Sequence, residues 1–117
     1  MIINGAIAER KAWLFLRKKK YRLLESNYRT RFGEIDLIIE NNKYIVFAEV
    51  KMRSTDFAGE PREAVTFSKQ KKIITAAKQY LSTHNTAKQP RFDVIEVICD
   101  MNSIKSIKHL ENAFELV

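Results

Sequence analysis

Two stretches of the chain carry apolar residues at helical spacing. Residues 5–20 predict the first helix, and the cations at 17–20 suit its C-terminal end, where the helix dipole favours positive charge. The second helix begins near Thr66 or Ser68, either of which could cap it, and runs to about His84. The apolar stripes are Ala8, Ala12, Phe15 and Leu16 in the first helix and Ile73, Ile74, Ala77, Tyr80 and Leu81 in the second.

The remaining apolar stretches are short and predict β-strands; the clearest, 33–40 and 43–51, are rich in Ile, Val and Phe, whereas the pattern of 21–29 is mixed. The predicted strands cover residues 21–29, 33–40, 43–51, 92–99 and 103–109. Residues 52–62, which contain Gly59 and Pro61, predict a loop. Residues 113–117 predict a short tail that docks on the domain. The order α-β-β-β-α-β-β indicates an α/β fold with a mixed β-sheet flanked by helices.

Asn41 and Asn42 separate the two clearest strands and predict a two-residue turn, because asparagine tolerates a positive φ. In such a hairpin Glu40 pairs with Lys43.

This register predicts a cluster of charged side chains on one face of the hairpin. Asp36 falls opposite Phe47 and diagonal to Glu49, with backbones about 7–8 Å apart, while Glu34 falls opposite Glu49. Glu49 and Lys51 share that face because residues two apart in a strand point the same way. The other face is apolar and comprises Ile35, Leu37, Ile39, Val46, Ala48 and Val50.

Three carboxylates on one face repel each other unless a cation or a bound proton relieves the charge. Mg²⁺ or Mn²⁺ would do so, since Mg²⁺ usually binds one or two carboxylates together with water and substrate phosphate. A lysine beside such an ion can position the attacking water or stabilise developing charge. The pattern therefore predicts a metal-dependent site for phosphodiester chemistry at Asp36, Glu49 and Lys51. The alternative is a solvated charge cluster.

The distribution of charge favours a polyanionic partner. The net charge is +7, with nine Lys/Arg against two acids in residues 1–31 and seven against one in residues 62–91. Residues 32–61 reverse the balance, with six acids and three bases. A basic surface around an acidic centre suits a nucleic acid held over a metal site.

The bulk properties indicate one folded domain over residues 1–117 in the cytoplasm. The chain has 117 residues and no apolar run near the length of a membrane span, so no membrane partner is expected. The N-terminus lacks the pattern of a secretory signal. Cys99, the single cysteine, suits a reducing compartment and sits in an apolar stretch that predicts burial.

Several motifs together resemble the YraN-like family of small bacterial proteins, across nearly the whole chain. They are Gly5-x-x-Ala8-Glu9-x-x-Ala12 with Leu16, Asn27-Tyr28-Arg29, Gly33-Glu34-Ile35-Asp36-Leu37-Ile38, Phe47-Ala48-Glu49-Val50-Lys51-x-Arg53, Ala64-Val65-x-x-x-Lys69 and Arg91-Phe92-Asp93-Val94. Ala48 replaces the family's usual valine, a conservative departure. That family belongs to the restriction-endonuclease-like, PD-(D/E)xK superfamily and resembles Holliday junction resolvases.

The resemblance implies a restriction-endonuclease-like fold and a role for each acid. Asp36 and Glu49 would be metal ligands and Lys51 the catalytic lysine, with Glu9 as a further acidic member that reaches the site from the first helix. From the residues alone, Glu9 is an ordinary first-turn acid that suits the helix dipole. Glu34 is either an extra metal ligand or a salt-bridge partner.

Three cations are candidates for nucleic-acid contacts: Arg29, Arg53 and Lys69. The alternative for Lys69 is a solvated side chain. Arg29 and Arg91 could either bind phosphate or brace acids such as Asp93. Aromatic residues could stack on unpaired bases, although packing in the core or a loop is the default for them: Tyr28, Phe32 and Phe57.

The leading hypothesis is an endonuclease dependent on Mg²⁺ or Mn²⁺ that acts on DNA. Branched substrates and a homodimer follow only from the resemblance, since resolvase-like enzymes cut two strands. The runner-up is a non-catalytic nucleic-acid-binding accessory protein, and a third hypothesis is a protein-interaction domain.

Overall fold

The computed structural model describes residues 2–55 and 65–115, which contain two helices and five strands. The elements are α1 (Gly5–Lys18), β1 (Arg22–Thr30), β2 (Gly33–Glu40), β3 (Tyr44–Ser54), α2 (Phe67–Thr83), β4 (Gln89–Cys99) and β5 (Ile104–Phe114). The predicted α/β class and the order α-β-β-β-α-β-β are confirmed. Part of the predicted loop, including Phe57, and the end of the predicted tail lie outside the described residues.

The described strands form one mixed sheet in the order β1-β2-β3-β4-β5. Neighbours pair antiparallel except β3 and β4, which run parallel. A parallel pair needs a crossover connection, and α2 lies within that connection. The parallel pair therefore brings the start of α2 back towards the far end of β3.

The two helices cover opposite faces of the sheet. The first core packs α1 against one face through Ala8, Ala12, Leu16, Leu37, Ile39, Val46 and Ala48. The second packs α2 against the other through Ile38, Phe47, Ile73, Ile74, Ala77, Tyr80 and Phe92. Cys99 is buried, as its apolar context predicts. No helix in the described ranges is long and apolar enough to cross a membrane.

Local backbone geometry and capping set the start of α2 and the end of α1. Thr66, rather than Ser68, is the N-cap of α2, and its side-chain oxygen accepts a hydrogen bond from the amide of Lys69 at 3.2 Å. The first helix ends at Lys18, two residues earlier than predicted. Lys20 has a φ of 75°, in the left-handed region that a continuing helix cannot use. The capping of α2 fixes Lys69 in its first turn.

The β2–β3 turn differs from the two-residue turn that the asparagines predict. The side chain of Asn41 accepts hydrogen bonds from the amides of Lys43 at 2.9 Å and Tyr44 at 2.7 Å. Glu40 therefore pairs with Ile45 instead of Lys43. The pairs of this ladder, from Glu40 with Ile45 to Leu37 with Ala48, are all shifted by two residues, which changes the partners but keeps the paired side chains on their predicted faces.

Candidate active site at a fork in the sheet

The sheet divides between β2 and β3 at the level of Asp36. The β2–β3 ladder has its last pair at Leu37 and Ala48, whereas the β1–β2 ladder continues to Gly33 and the β3–β4 ladder to Ser54. Past this point Oδ2 of Asp36 accepts a hydrogen bond from the amide of Val50 at 2.7 Å. We call this region the fork: a side-chain carboxylate has taken the place of a ladder bond.

Two predictions about this region were wrong in detail. Phe47 pairs with Ile38, not with Asp36, because the turn is longer than predicted. Ile35 packs in the α2 core, although its spacing predicted the same face as Leu37, which packs in the α1 core. Ile35 and Leu37, which are two residues apart, thus pack on opposite faces of the sheet where the β2–β3 ladder ends.

Asp36 and Glu49 meet at the fork as two buried carboxyl groups, with 7% and 4% of each residue exposed. Burial raises the pKa of Asp36, an effect that the hydrogen bonds from Val50 and from Glu49 partly offset. Burial, and then the charge of Asp36, raises the pKa of Glu49 to about 7. Ionisation of both carboxyls at such a poorly solvated site has a high free-energy cost. Near neutral pH the pair therefore holds a proton or requires a cation.

A cation from α2 already approaches the pair. Nζ of Lys69 lies 3.0 Å from Oε1 of Glu49. Burial lowers the pKa of Lys69, but its hydrogen bond to Glu49 and the surrounding negative charge outweigh this and raise it. Sequence reasoning treated Lys69 as a phosphate ligand or a solvated lysine and missed this ion pair. Only its place in the Ala64-Val65-x-x-x-Lys69 motif singled it out.

Glu9 reaches towards the same place from α1. Burial, followed by the negative charge of Asp36, raises the pKa of Glu9, while a hydrogen bond from Asn27 lowers it. The two helices thus contribute charges of opposite sign to one fork, Glu9 from α1 and Lys69 from α2.

Glu34 does not lie opposite Glu49 as the predicted register requires. It pairs with Arg29 of β1, with Arg29 Nε 3.4 Å from Glu34 Oε2. Of its two predicted roles, the structure shows the salt-bridge partner. The negative charge of Glu34 still raises the pKa of Asp36, because the two acids are near neighbours along β2.

Lys51 and Arg53 continue along β3 on the face that carries Glu49. Lys51 is half-buried, lies beside Glu96 in the β3–β4 register, and forms no ion pair with any residue of the described ranges. The side chain of Arg53 is 5% exposed and hydrogen-bonds the carboxylate of Glu96. Arg53 therefore braces β3 against β4, whereas Arg29 is exposed on β1.

The donor set at the fork is small. Within the described residues, no group of three or more His, Cys, Asp or Glu side chains is arranged to hold a metal ion. Asp36 and Glu49 offer two carboxylates, which is the number that Mg²⁺ usually takes from a protein when water and phosphate complete its shell. The chemistry of the pair thus fits a hard divalent cation that a substrate helps to bind.

Comparison with known proteins places the chain in a family. Residues 8–97 match the model of the uncharacterised protein family UPF0102. A UPF0102 protein of Alkaliphilus oremlandii is 48% identical over 94% of this chain and 96% of its own length. Relatives in Caldanaerobacter subterraneus and Persephonella marina are each 42% identical, over 94% and 97% of this chain and 93% and 95% of their own lengths. The chain belongs to the uncharacterised protein family UPF0102, the YraN-like group that its motifs resemble.

Proposed function

We propose that this protein is a metal-dependent endonuclease that hydrolyses phosphodiester bonds in nucleic acid, with DNA, including branched DNA, as the substrate. The observation that carries the proposal is the meeting of two buried carboxyls, Asp36 and Glu49, at the fork. A buried carboxyl pair destabilises the folded protein, and carboxyls with such strongly raised pKa values are concentrated at functional sites.

Asp36 and Glu49 would hold Mg²⁺ or Mn²⁺. When bound, such an ion lowers the pKa of a coordinated water and offsets charge on a phosphate oxygen. The hydrogen bond from Val50 fixes the Asp36 carboxylate, so that one of its oxygens keeps a set direction. Burial excludes bulk water from the pair and strengthens its hold on a cation.

The two lysines have separate tasks in this proposal. Lys69 neutralises Glu49 before substrate arrives and is then placed to contact a phosphate, because it lies on the solvent side of the ion pair with 44% of its side chain exposed. Lys51, which follows Glu49 by two residues on the same face, orients the attacking water or stabilises charge on the scissile phosphate. Glu9 adds negative charge beside Asp36 from α1.

The test combines cleavage with metal binding. Purified protein is incubated with supercoiled plasmid and with a branched oligonucleotide in Mn²⁺, Mg²⁺ or EDTA, and Mn²⁺ binding is followed by electron paramagnetic resonance. Asp36→Asn and Glu49→Gln should lose both cleavage and Mn²⁺ binding, whereas Lys51→Met should lose cleavage and keep the metal. Asp100→Asn, an exposed acid in the β4–β5 turn, is the matched control and should behave as the native protein.

The proposal fails if the native protein cuts none of these substrates with either metal. It also fails if cleavage persists at the native rate in Asp36→Asn prepared in the same way. A homodimer, as the resemblance implies, would place two such sites on one substrate and give paired cuts in both strands.

A second candidate is a non-catalytic nucleic-acid-binding accessory protein. The ion pair between Lys69 and Glu49 favours it, since a lysine can offset the charge of the carboxyls without a metal. Salt-dependent binding of DNA without turnover, and without Mn²⁺ binding, would support this role in place of the first.

A further inference from the structure

A cleft lies between the β1–β2 turn and the first turns of α2, next to the fork. It has a volume of about 620 Å³. We call it the turn cleft, and its charged and aromatic lining consists of Arg29, Arg31, Phe32, Glu34, Lys69 and Lys72. Lys69 belongs both to this lining and to the ion pair with Glu49, so this lysine connects the cleft to the carboxyl pair.

The charges of the turn cleft favour an anion. Four cations line it against the single acid Glu34, and that acid already pairs with Arg29. Arg31 and Lys72 have no acidic partner in the part of the chain that the structure describes. Two cations that line one cleft and pair with no acid of the described residues can bind phosphates of a nucleic-acid backbone.

The cleft is held in shape before any ligand binds. The hydroxyl of Thr30 accepts hydrogen bonds from the amides of Phe32 at 3.0 Å and Gly33 at 3.2 Å, which closes the turn. A Cβ on Gly33 would lie 2.9 Å from the backbone oxygen of Lys72, so the turn and α2 are in close contact. A preformed surface loses little conformational entropy on binding.

Phe32 presents an aromatic ring at the tip of the turn, with 46% of the residue exposed. The guanidinium carbon of Arg31 lies 4.9 Å from the centre of that ring. A row of cations with an accessible aromatic ring is the arrangement by which proteins bind single-stranded nucleic acid, because any unpaired base can stack on the ring. Tyr28 is not available in the same way, since its ring packs against Tyr80 with the ring centres 5.3 Å apart.

We propose that the turn cleft binds a single-stranded segment of the nucleic acid, with an unpaired base stacked on Phe32 and neighbouring phosphates held by Arg31 and Lys72. Lys69 then receives the strand at the carboxyl pair. The proposal deepens the proposed nuclease function, because it names an unpaired strand as the part of the substrate that enters the site. It predicts a preference for single-stranded over duplex DNA.

The first test measures the two cations. Affinity for a labelled, mixed-sequence single-stranded oligodeoxynucleotide is followed by fluorescence anisotropy in EDTA over a series of salt concentrations. The double variant Arg31→Gln with Lys72→Gln should bind more weakly, and the slope of log affinity against log salt should fall by roughly 1.4 for two lost phosphate contacts. The control carries Lys11→Gln with Lys18→Gln, which removes the same charge from a cleft between α1 and β5, at the sheet edge opposite β1.

The second test measures stacking. Phe32→Ala should weaken binding of the single strand by roughly 5- to 150-fold and leave the affinity for the same sequence as a duplex unchanged. Phe32→Trp should keep the affinity, and the fluorescence of the introduced indole, measured relative to the native protein with its single Trp13, should be quenched when the single strand binds.

The proposal is overturned if the Arg31 and Lys72 variant matches its control. It is also overturned if Phe32→Ala binds the single strand as well as the native protein does, or loses equal affinity for single strand and duplex. Because EDTA removes the metal, these results are independent of cleavage. If the protein cuts DNA but fails these binding tests, only the proposal for the turn cleft is overturned. If it binds as expected but never cuts DNA, only the proposed nuclease function is overturned.

Discussion

Nζ of Lys69 lies 3.0 Å from Oε1 of Glu49, so that α2 and β3 are joined by an ion pair at the point where the sheet divides. The contact has two consequences. It supplies part of the positive charge that the buried carboxyls need, and it places the start of α2 beside the turn cleft. Each consequence can be measured separately.

Lys69→Met should raise the pKa of Glu49 above its value of about 7. Burial, the charge of Asp36 and the hydrogen bond with Asp36 raise that pKa, while the hydrogen bond and positive charge of Lys69 lower it, so removal of the lysine leaves only influences that raise the pKa. A ¹³C NMR titration of the glutamate carboxyls in the metal-free protein measures the midpoint. Lys72→Met, one turn further along α2, is the control and should titrate as the native protein does. An unchanged midpoint in Lys69→Met would show that the ion pair does not form in solution.

Glu49→Gln should stabilise the metal-free protein at alkaline pH. The pKa of Glu49 is raised from 4.5 to about 7 on folding, so between these values the folded protein holds a proton that the unfolded chain has released. The stability that this group contributes is therefore present below pH 4.5 and is lost as the pH rises to about 7. Glutamine carries no charge, so at about pH 8 the variant should be more stable by on the order of 2 kcal/mol.

Urea denaturation in EDTA at several pH values measures the difference in the free energy of unfolding between Glu49→Gln and the native protein, which should vanish in acid. Addition of Mn²⁺ should then stabilise the native protein and leave Glu49→Gln unaffected, because a ligand stabilises only the state that binds it. A variant less stable than the native protein at alkaline pH would show that the carboxylate is not penalised by its surroundings.

Strand periodicity predicted the faces of the paired parts of β2 and β3, although the predicted register was wrong and Ile35 packs on the opposite face from Leu37. The Asn41 side chain accepts hydrogen bonds from the amides of Lys43 and Tyr44 and lengthens the turn by two residues, and a shift of two residues leaves each paired side chain on its predicted face. The spacing thus predicted that Asp36 and Glu49 lie near each other, but Asp36 makes its contact past the end of the ladder. The choice between an asparagine side chain and a two-residue turn depends on a hydrogen bond that propensity does not resolve.

The fork and the ion pair were beyond sequence reasoning for a different reason. Asp36 replaces a ladder bond only because β2 leaves β3 there, and Lys69 meets Glu49 only because the parallel β3–β4 pair returns α2 to that place. Both are tertiary relationships between residues far apart in the chain. Periodicity within one element carries no information about them.

Gly33→Ala should destabilise the protein by about 1–3 kcal/mol, the usual cost of forcing an extra carbon into a packed site. The new Cβ would lie 2.9 Å from the backbone oxygen of Lys72, and a backbone atom within a helix cannot move aside easily. Gly5→Ala is the matched control, since nothing lies within 4 Å of its Cβ position and Gly5 is the first residue of α1. The control should be as stable as the native protein or more stable by up to about 1 kcal/mol. Equal stability of Gly33→Ala and the native protein would contradict the close packing that shapes the turn cleft.

Asp93, the sheet partner of Ala48 beside Glu49, anchors a separate buried network. Its carboxylate accepts hydrogen bonds from Arg91 Nε at 2.9 Å and from His109 Nε2 at 2.6 Å. Lys19 Nζ lies 3.0 Å from the other ring nitrogen of His109. A lysine ammonium can only donate, so that nitrogen is the acceptor and Nε2 carries the proton that binds Asp93. The bracing of Asp93 by Arg91 is as predicted.

Asp93→Asn should therefore cost about 3–5 kcal/mol at neutral pH, because Arg91 would lose its buried counter-charge and keep only the exposed carboxylate of Glu111, 3.7 Å away. Burial raises the pKa of Asp93, but the hydrogen bonds from His109 and Arg91 outweigh it and lower that pKa below its usual 3.8. The stability due to Asp93 is present above the unfolded pKa and is lost as the pH falls through the folded one, so the native protein should lose stability in acid more steeply than the variant.

Urea denaturation from neutral pH into the acid range compares the native protein, Asp93→Asn and Asp100→Asn. Asp100→Asn is the control because backbone amides lower the pKa of Asp100 to about 2, so that this group also titrates in the acid range. Asp100 is exposed in a turn, so its variant should keep nearly the native stability at neutral pH, whereas Asp93→Asn should not. If Asp93→Asn lost as little as Asp100→Asn at neutral pH, the network would be dispensable. The contacts that this network makes between the end of α1 and strands β4 and β5 would then contribute nothing to the stability of the sheet that carries Glu49.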